Sequence, residues 1–108
     1  MINSKRFEIE KQHEENIEEM RCDHNIRMTE LDCQEKIEIN EREKNNQRED
    51  DVLLIKIKQK YQFERVRMEH EFQIKMMQEE YKYEEKMMML DNELEIKRLE
   101  KDKLLKKL

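Results

Sequence analysis

Glycine and proline are absent from the 108 residues, and so are alanine and tryptophan. Gly and Pro shape tight turns and stop helices, so a fold built from many short elements and turns is excluded. Aromatic residues make up 6% and hydrophobic ones 35%, against 47% charged. A compact domain draws about half its residues from apolar types, so an independent globular core is excluded as well. Long apolar runs are also missing. The longest are Val52-Leu53-Leu54-Ile55 and Met87-Met88-Met89-Leu90, far short of the ~20 residues that cross a bilayer. The N-terminal Met-Ile-Asn-Ser-Lys-Arg-Phe-Glu carries charge where a secretory leader would need an apolar core. An intracellular, cytoplasmic protein is expected. Cys22 and Cys33 fit that compartment as reduced thiols. Eleven residues of helix separate them by about 16 Å, too far to bridge within one chain.

What the chain does contain is Glu, Lys, Leu, Met, Arg and Gln, all strong helix formers. A continuous helix of this length would extend roughly 160 Å. Charge is unevenly spread along it. Residues 1–51 hold nine Lys/Arg against sixteen Asp/Glu, a balance of −7, and residues 52–108 hold fourteen against twelve, a balance of +2. Acid toward the N-terminus and base toward the C-terminus suits the macrodipole of one unbroken helix.

Periodicity carries most of the information. Steps of eleven from Ile17 meet Met28, Ile39, Asp50, Tyr61, Phe72, Tyr83, Leu94 and Leu105, eight apolar residues in nine. Steps of seven find no comparable series. Eleven residues in three turns is 3.67 per turn, slightly more than the helix's own 3.6, and helices with that repeat wind around one another with a right hand. With positions lettered a to k from Tyr61, position a is joined by d (Ile9, Met20, Leu31, Leu53), e (Leu54, Met76, Met87) and h (Ile57, Met68, Leu90). At 100° per residue these share one sector of the helix and form the expected helix–helix interface.

A second series of eleven runs Cys22, Cys33, Lys44, Ile55, Val66, Met77, Met88, Leu99 at position f, about 140° from a. Position c adds Val52, Phe63, Ile74 and Ile96, and position j adds Ile26, Ile37 and Tyr81. This second apolar seam lies roughly opposite the first. A two-stranded coiled coil needs one seam, so two imply neighbours on both sides. Between Ile39 and Val52 all twelve residues are polar. Such a stretch fits either the loop of a helical hairpin or a polar part of a continuous helix. From Ile39 to Tyr61 is two full repeats, so the a series resumes in step, which points to a continuous helix with a softer stretch at 40–51, centred near Asn45-Asn46. That stretch divides a less apolar N-terminal half from a more apolar C-terminal half.

No Ser/His/Asp set and no Gly-rich phosphate loop is present, so the chain reads as neither an enzyme nor a cofactor binder. His13 and His24 share position h without a zinc-site spacing around them, and read as polar layers that tune register. The negative balance and the lack of a basic patch interleaved with aromatics argue against nucleic acid. The expected fold is all-α and non-globular: one continuous helix over 1–108 in a right-handed, eleven-residue-repeat (hendecad) coiled coil. Its expected function is that of a self-associating stalk, spacer or scaffold. The partner is the chain itself, in more than two copies. Charge favours antiparallel copies, since the −7 half would lie beside the more basic half. Buried apolar residues outweigh exposed charge pairs, so the copies are expected to run parallel, with the richer seams of residues 52–105 meeting. Two alternatives stand beside it. One is an amphipathic helix binding a membrane surface or a receptor groove through its basic C-terminal end, where Lys97 to Leu108 hold six basic residues against Glu100 and Asp102. The other is a monomeric single-helix spacer supported by i,i+4 ion pairs such as Asp32–Lys36 and Glu93–Lys97.

Overall fold

A computed structural model describes residues 2–44 and 51–108. Among these the chain forms two long helices, α1 (Ile2–Lys44) and α2 (Asp51–Lys107), about 64 and 85 Å in length. Each closes on cations, Arg42 and Lys44 in α1 and Lys106 and Lys107 in α2, where the negative end of the helix dipole favours them. Among the described residues no helix is long and apolar enough to cross a membrane.

Both helices contribute to two compact units, one of residues 1–18 with 76–108 and one of residues 19–75. In each unit α1 and α2 lie side by side and antiparallel. In the 19–75 unit, Glu38 meets Lys60 and Tyr61, Asp32 meets Arg65, and His24 meets Glu69. In the other, His13 meets Glu79, Arg6 meets Asp91 and Lys5 meets Glu93.

One continuous helix over 1–108 is therefore not what forms, since two segments of a single helix cannot pack against each other. Preserved phase does not require it. Positions a, d, e and h cover four of eleven places, so a helix restarted at arbitrary phase returns a given residue to the core sector roughly a third of the time. The single macrodipole read from the charge gradient fails for the same reason, because α1 ends on its own cationic turn. Of the polar stretch 40–51, residues 40–44 belong to α1, Asp51 opens α2, and the softening expected near Asn45-Asn46 lies outside the described residues.

The core of the 19–75 unit is Leu31, Ile57 and Tyr61, with Ile39 and Met68 packed against them. Among the described residues, Leu90 is the buried apolar residue of the other unit. Along α1 the shielded positions are Ile9, His13, Ile17, Met20, His24, Met28, Leu31, Glu35, Ile39 and Arg42, with Asn16 and Glu38 beside them. Along α2 they run Ile57, Tyr61, Arg65, Met68, Phe72, Met76, Glu79, Tyr83, Met87, Leu90 and Leu94, with Leu53, Leu54 and Glu64. Both series advance by four, four and three residues. Burial of each large apolar side chain contributes roughly 1.5–3 kcal/mol, whereas the exposed ion pairs that flank them contribute under about 1 kcal/mol each.

Candidate helix–helix interaction surface

The first seam is occupied within the chain. Each residue assigned to it is buried or half-buried except Leu105, which is 61% exposed. The antiparallel register explains the exception. Lys5 and Arg6 of α1 already lie beside Glu93 and Asp91, so α1 runs out before it reaches Leu105 of α2. The expectation of parallel copies rested on the seam of residues 52–105 meeting its own counterpart. In both units that seam is covered by α1 of the same chain, so the direction of any neighbouring copy is set by other faces.

Polar groups complete the first seam in layers. His13 stacks on Tyr83, and His24 on Phe72, each with ring centroids 4.1 Å apart and planes 12° from parallel. The two histidines are eleven residues apart, and so are the two aromatics, so one arrangement occurs once in each unit. A carboxylate accompanies each histidine: Glu79 Oε1 lies 3.3 Å from His13 Nδ1, and Glu69 Oε2 2.9 Å from His24 Nε2. Asn16 donates its amide to the same Glu79 oxygen at 2.9 Å. That hydrogen bond, with further help from His13 and Lys82, holds the Glu79 carboxyl below its ordinary range against the opposing effect of burial. These stacking partners were not foreseen, although both eleven-residue spacings stand in the sequence. Position h of α1 and position a of α2 belong to one layer only when the helices run antiparallel. His70, at position j, is exposed.

Nearer the middle of the chain, the Tyr61 hydroxyl donates to Glu38 Oε2, and Arg65 reaches both Glu35 and, at 2.9 Å, Asp32. The hydrogen bond from Tyr61, followed by the charge of Lys60, lowers the Glu38 carboxyl from 4.5, and the same bond raises the Tyr61 phenol from 10.0. A lowered carboxyl adds stability above its unfolded value and loses it as pH falls through the folded value. A raised phenol adds stability below its unfolded value and loses it as pH rises through the folded one. The pair is therefore expected to stabilise the helix pair between about pH 4.5 and 10 and to lose that contribution on either side. Thermal melts across pH should show Tyr61→Phe flattening both flanks of the profile; a variant profile parallel to the wild type would remove this pair as the cause.

The second seam is outward. Cys22, Cys33, Ile55, Phe63, Val66, Ile74, Met77, Met88, Ile96 and Leu99 are all exposed, as are Ile26, Ile37, Val52 and Tyr81. Phe63 reaches 78% exposure. Both cysteines are free thiols on the outer side of α1. A run of large apolar side chains on one helix face, spaced for contact with another helix, is what an interaction surface offers. Comparison with protein-family models, with curated proteins and with solved structures finds no match to this chain.

Proposed function

We propose that the chain is a non-catalytic structural element that self-associates through its outward seam and serves as a stalk, spacer or scaffold inside the cell. The observation that carries this reading is the exposed apolar stripe of α2, from Val52 and Ile55 through Phe63 and Val66 to Ile74. A helix pair meant to stay solitary has no use for it, and its burial against neighbours contributes roughly 1.5–3 kcal/mol per large residue. The recurrence of shielded residues at four, four and three steps supports right-handed hendecad packing within each pair. With outward seams on both helices, assemblies of more than two chains follow. Free thiols on the outer side of α1 suit an intracellular setting.

One observation favours a second reading, that of a peripheral membrane binder. In the last turns of α2, Leu104 and Leu105 are exposed beside Lys101, Lys103, Lys106 and Lys107, a combination that suits an anionic lipid surface. The monomeric spacer leaves the outward seam without a purpose.

Sedimentation equilibrium at several loading concentrations separates these readings. Self-association predicts a mass that rises above one chain with concentration and without lipid. A single-chain mass throughout, with flotation on anionic vesicles, would move the function to the membrane; a single-chain mass with no flotation would leave the spacer.

A further inference from the structure

We propose that copies of this chain join unlike faces, the outer side of α1 in one copy docking on the outer side of α2 in the next. This rests on the self-association reading above and adds to it which surfaces meet.

Within the unit of residues 19–75 the two outward faces differ in sign. On α1, Cys22, Ile26, Cys33 and Ile37 alternate with Glu19, Glu30 and Glu41, and all are exposed; Lys44 closes the same face, which leaves three carboxylates against one cation. On α2, the stripe holding Ile55, Phe63 and Val66 is bordered by Lys56 and Arg67. Arg67 shares its charge with Glu64 and Glu71 of its own helix, at 2.8 and 4.0 Å, while Lys56 has no carboxylate partner among the described residues. The three glutamates recur every eleven residues and so do the two cations. Carboxylates and cations therefore stay in step when one face is laid on the other.

Pairing of like faces loses this. Two α1 faces would bring Glu30 and Glu41 against the same residues of a copy, and two α2 faces would bring Lys56 and Arg67 together. Like charges across an interface oppose association and select against that partner. The same unit already sorts its charges in the proposed way inside one chain, where Arg65 of α2 meets Asp32 and Glu35 of α1, and Lys60 meets Glu38. Apolar content does not choose between partners: the α1 stripe has two isoleucines and two thiols, the α2 stripe has Ile55, Phe63 and Val66, and either kind gains from an α2 neighbour. Charge sets the choice of partner, and apolar burial supplies the affinity.

The two faces lie on opposite sides of the helix pair, because the second seam of each helix is roughly 180° from the first. Each copy thus uses one face toward the preceding chain and the other toward the next. Such a heterologous contact closes into a ring or continues as an open row.

Two double variants test the proposal, Ile26→Gln with Ile37→Gln on α1 and Phe63→Gln with Val66→Gln on α2. Glutamine removes the apolar contact, adds no charge and keeps the helix. Circular dichroism should show both folded; if either loses helicity, the single variants Ile37→Gln and Phe63→Gln replace the pair. By analytical ultracentrifugation each variant alone should lose association by ~100-fold or more. An equimolar mixture should form a one-to-one complex that grows no further, because the first variant keeps its α2 face and the second its α1 face. Continued assembly of the α1 variant alone would mean α2 on α2, and continued assembly of the α2 variant alone would mean α1 on α1. Either result, or a mixture that fails to pair, overturns the proposal while self-association stands. A wild-type chain that is monomeric throughout overturns both.

Discussion

Ile57→Asp is expected to lower the melting temperature of the chain by roughly 10–20 °C, while Val66→Asp, nine residues further along the same helix, leaves it within a few degrees. Ile57 is 5% exposed and packs with Leu31 and Tyr61, whereas Val66 is 58% exposed on the outward side of α2. At Ile57 the substitution forfeits the burial of a large side chain, about 1.5–3 kcal/mol. It also places a carboxyl in apolar surroundings, where it neutralises or opens the pair to water. At Val66 the carboxyl stays hydrated, and surface changes of that kind cost about 0.5 kcal/mol or less. The comparison belongs at the lowest concentration that gives a readable dichroism signal, where contacts between copies contribute least. Equal loss at both sites would show that the two seams of α2 are not divided into an inner and an outer one.

That division was legible in the sequence, and the chain reversal was not. The eleven-residue series separated Ile57, Tyr61 and Met68 from Ile55, Phe63 and Val66 without knowledge of any partner, because helical geometry alone fixes which residues share a face. What covers a face is another matter. Gly and Pro are missing between Ile39 and Val52, and twelve polar residues in a row fit a loop and a solvated stretch of helix equally, so composition does not decide that α1 ends at Lys44 and α2 begins at Asp51. Charge and apolar content also disagree about chain direction, the first favouring antiparallel pairing and the second favouring rich seam against rich seam. The fold satisfies charge, with Asp32, Glu35 and Glu38 of α1 on Arg65 and Lys60 of α2. It meets the apolar requirement by a route that residue counting did not suggest. Polar positions of α1 are filled by histidines flat enough to stack on Phe72 and Tyr83, so the poorer seam is no handicap opposite a richer one.

Separation of the two helices should produce the largest change of all. A peptide of residues 1–44 alone is expected to be weakly helical, a peptide of residues 51–108 alone to be more helical and to self-associate, and a mixture to gain helicity well beyond the sum. The reasons lie in what each helix has to bury. The α1 peptide carries a mixed set of i,i+4 pairs, attractive at Asp23–Arg27, Asp32–Lys36 and Glu38–Arg42 but repulsive at Glu10–Glu14 and Glu15–Glu19. Such pairs are worth only about 0.2–0.5 kcal/mol each. With its inner seam of Ile9, Ile17, Met20, Met28, Leu31 and Ile39 uncovered, little else holds it, since most helical stability in proteins comes from packing of an apolar face. The α2 peptide, with its inner seam of Ile57, Tyr61, Met68, Phe72 and Leu90 uncovered, finds copies of itself through that seam. Mixing offers α1 the surface on which its histidines stack and its carboxylates meet Arg65 and Lys60. Titration of one peptide into the other, followed by dichroism at 222 nm (the ~0.5–1.5 kcal/mol net value of each intramolecular hydrogen bond makes helix formation strongly coupled to that packing), should saturate at one to one. Residues 1–44 remaining as weakly helical with residues 51–108 as without them would mean that the two helices are not each other's partners.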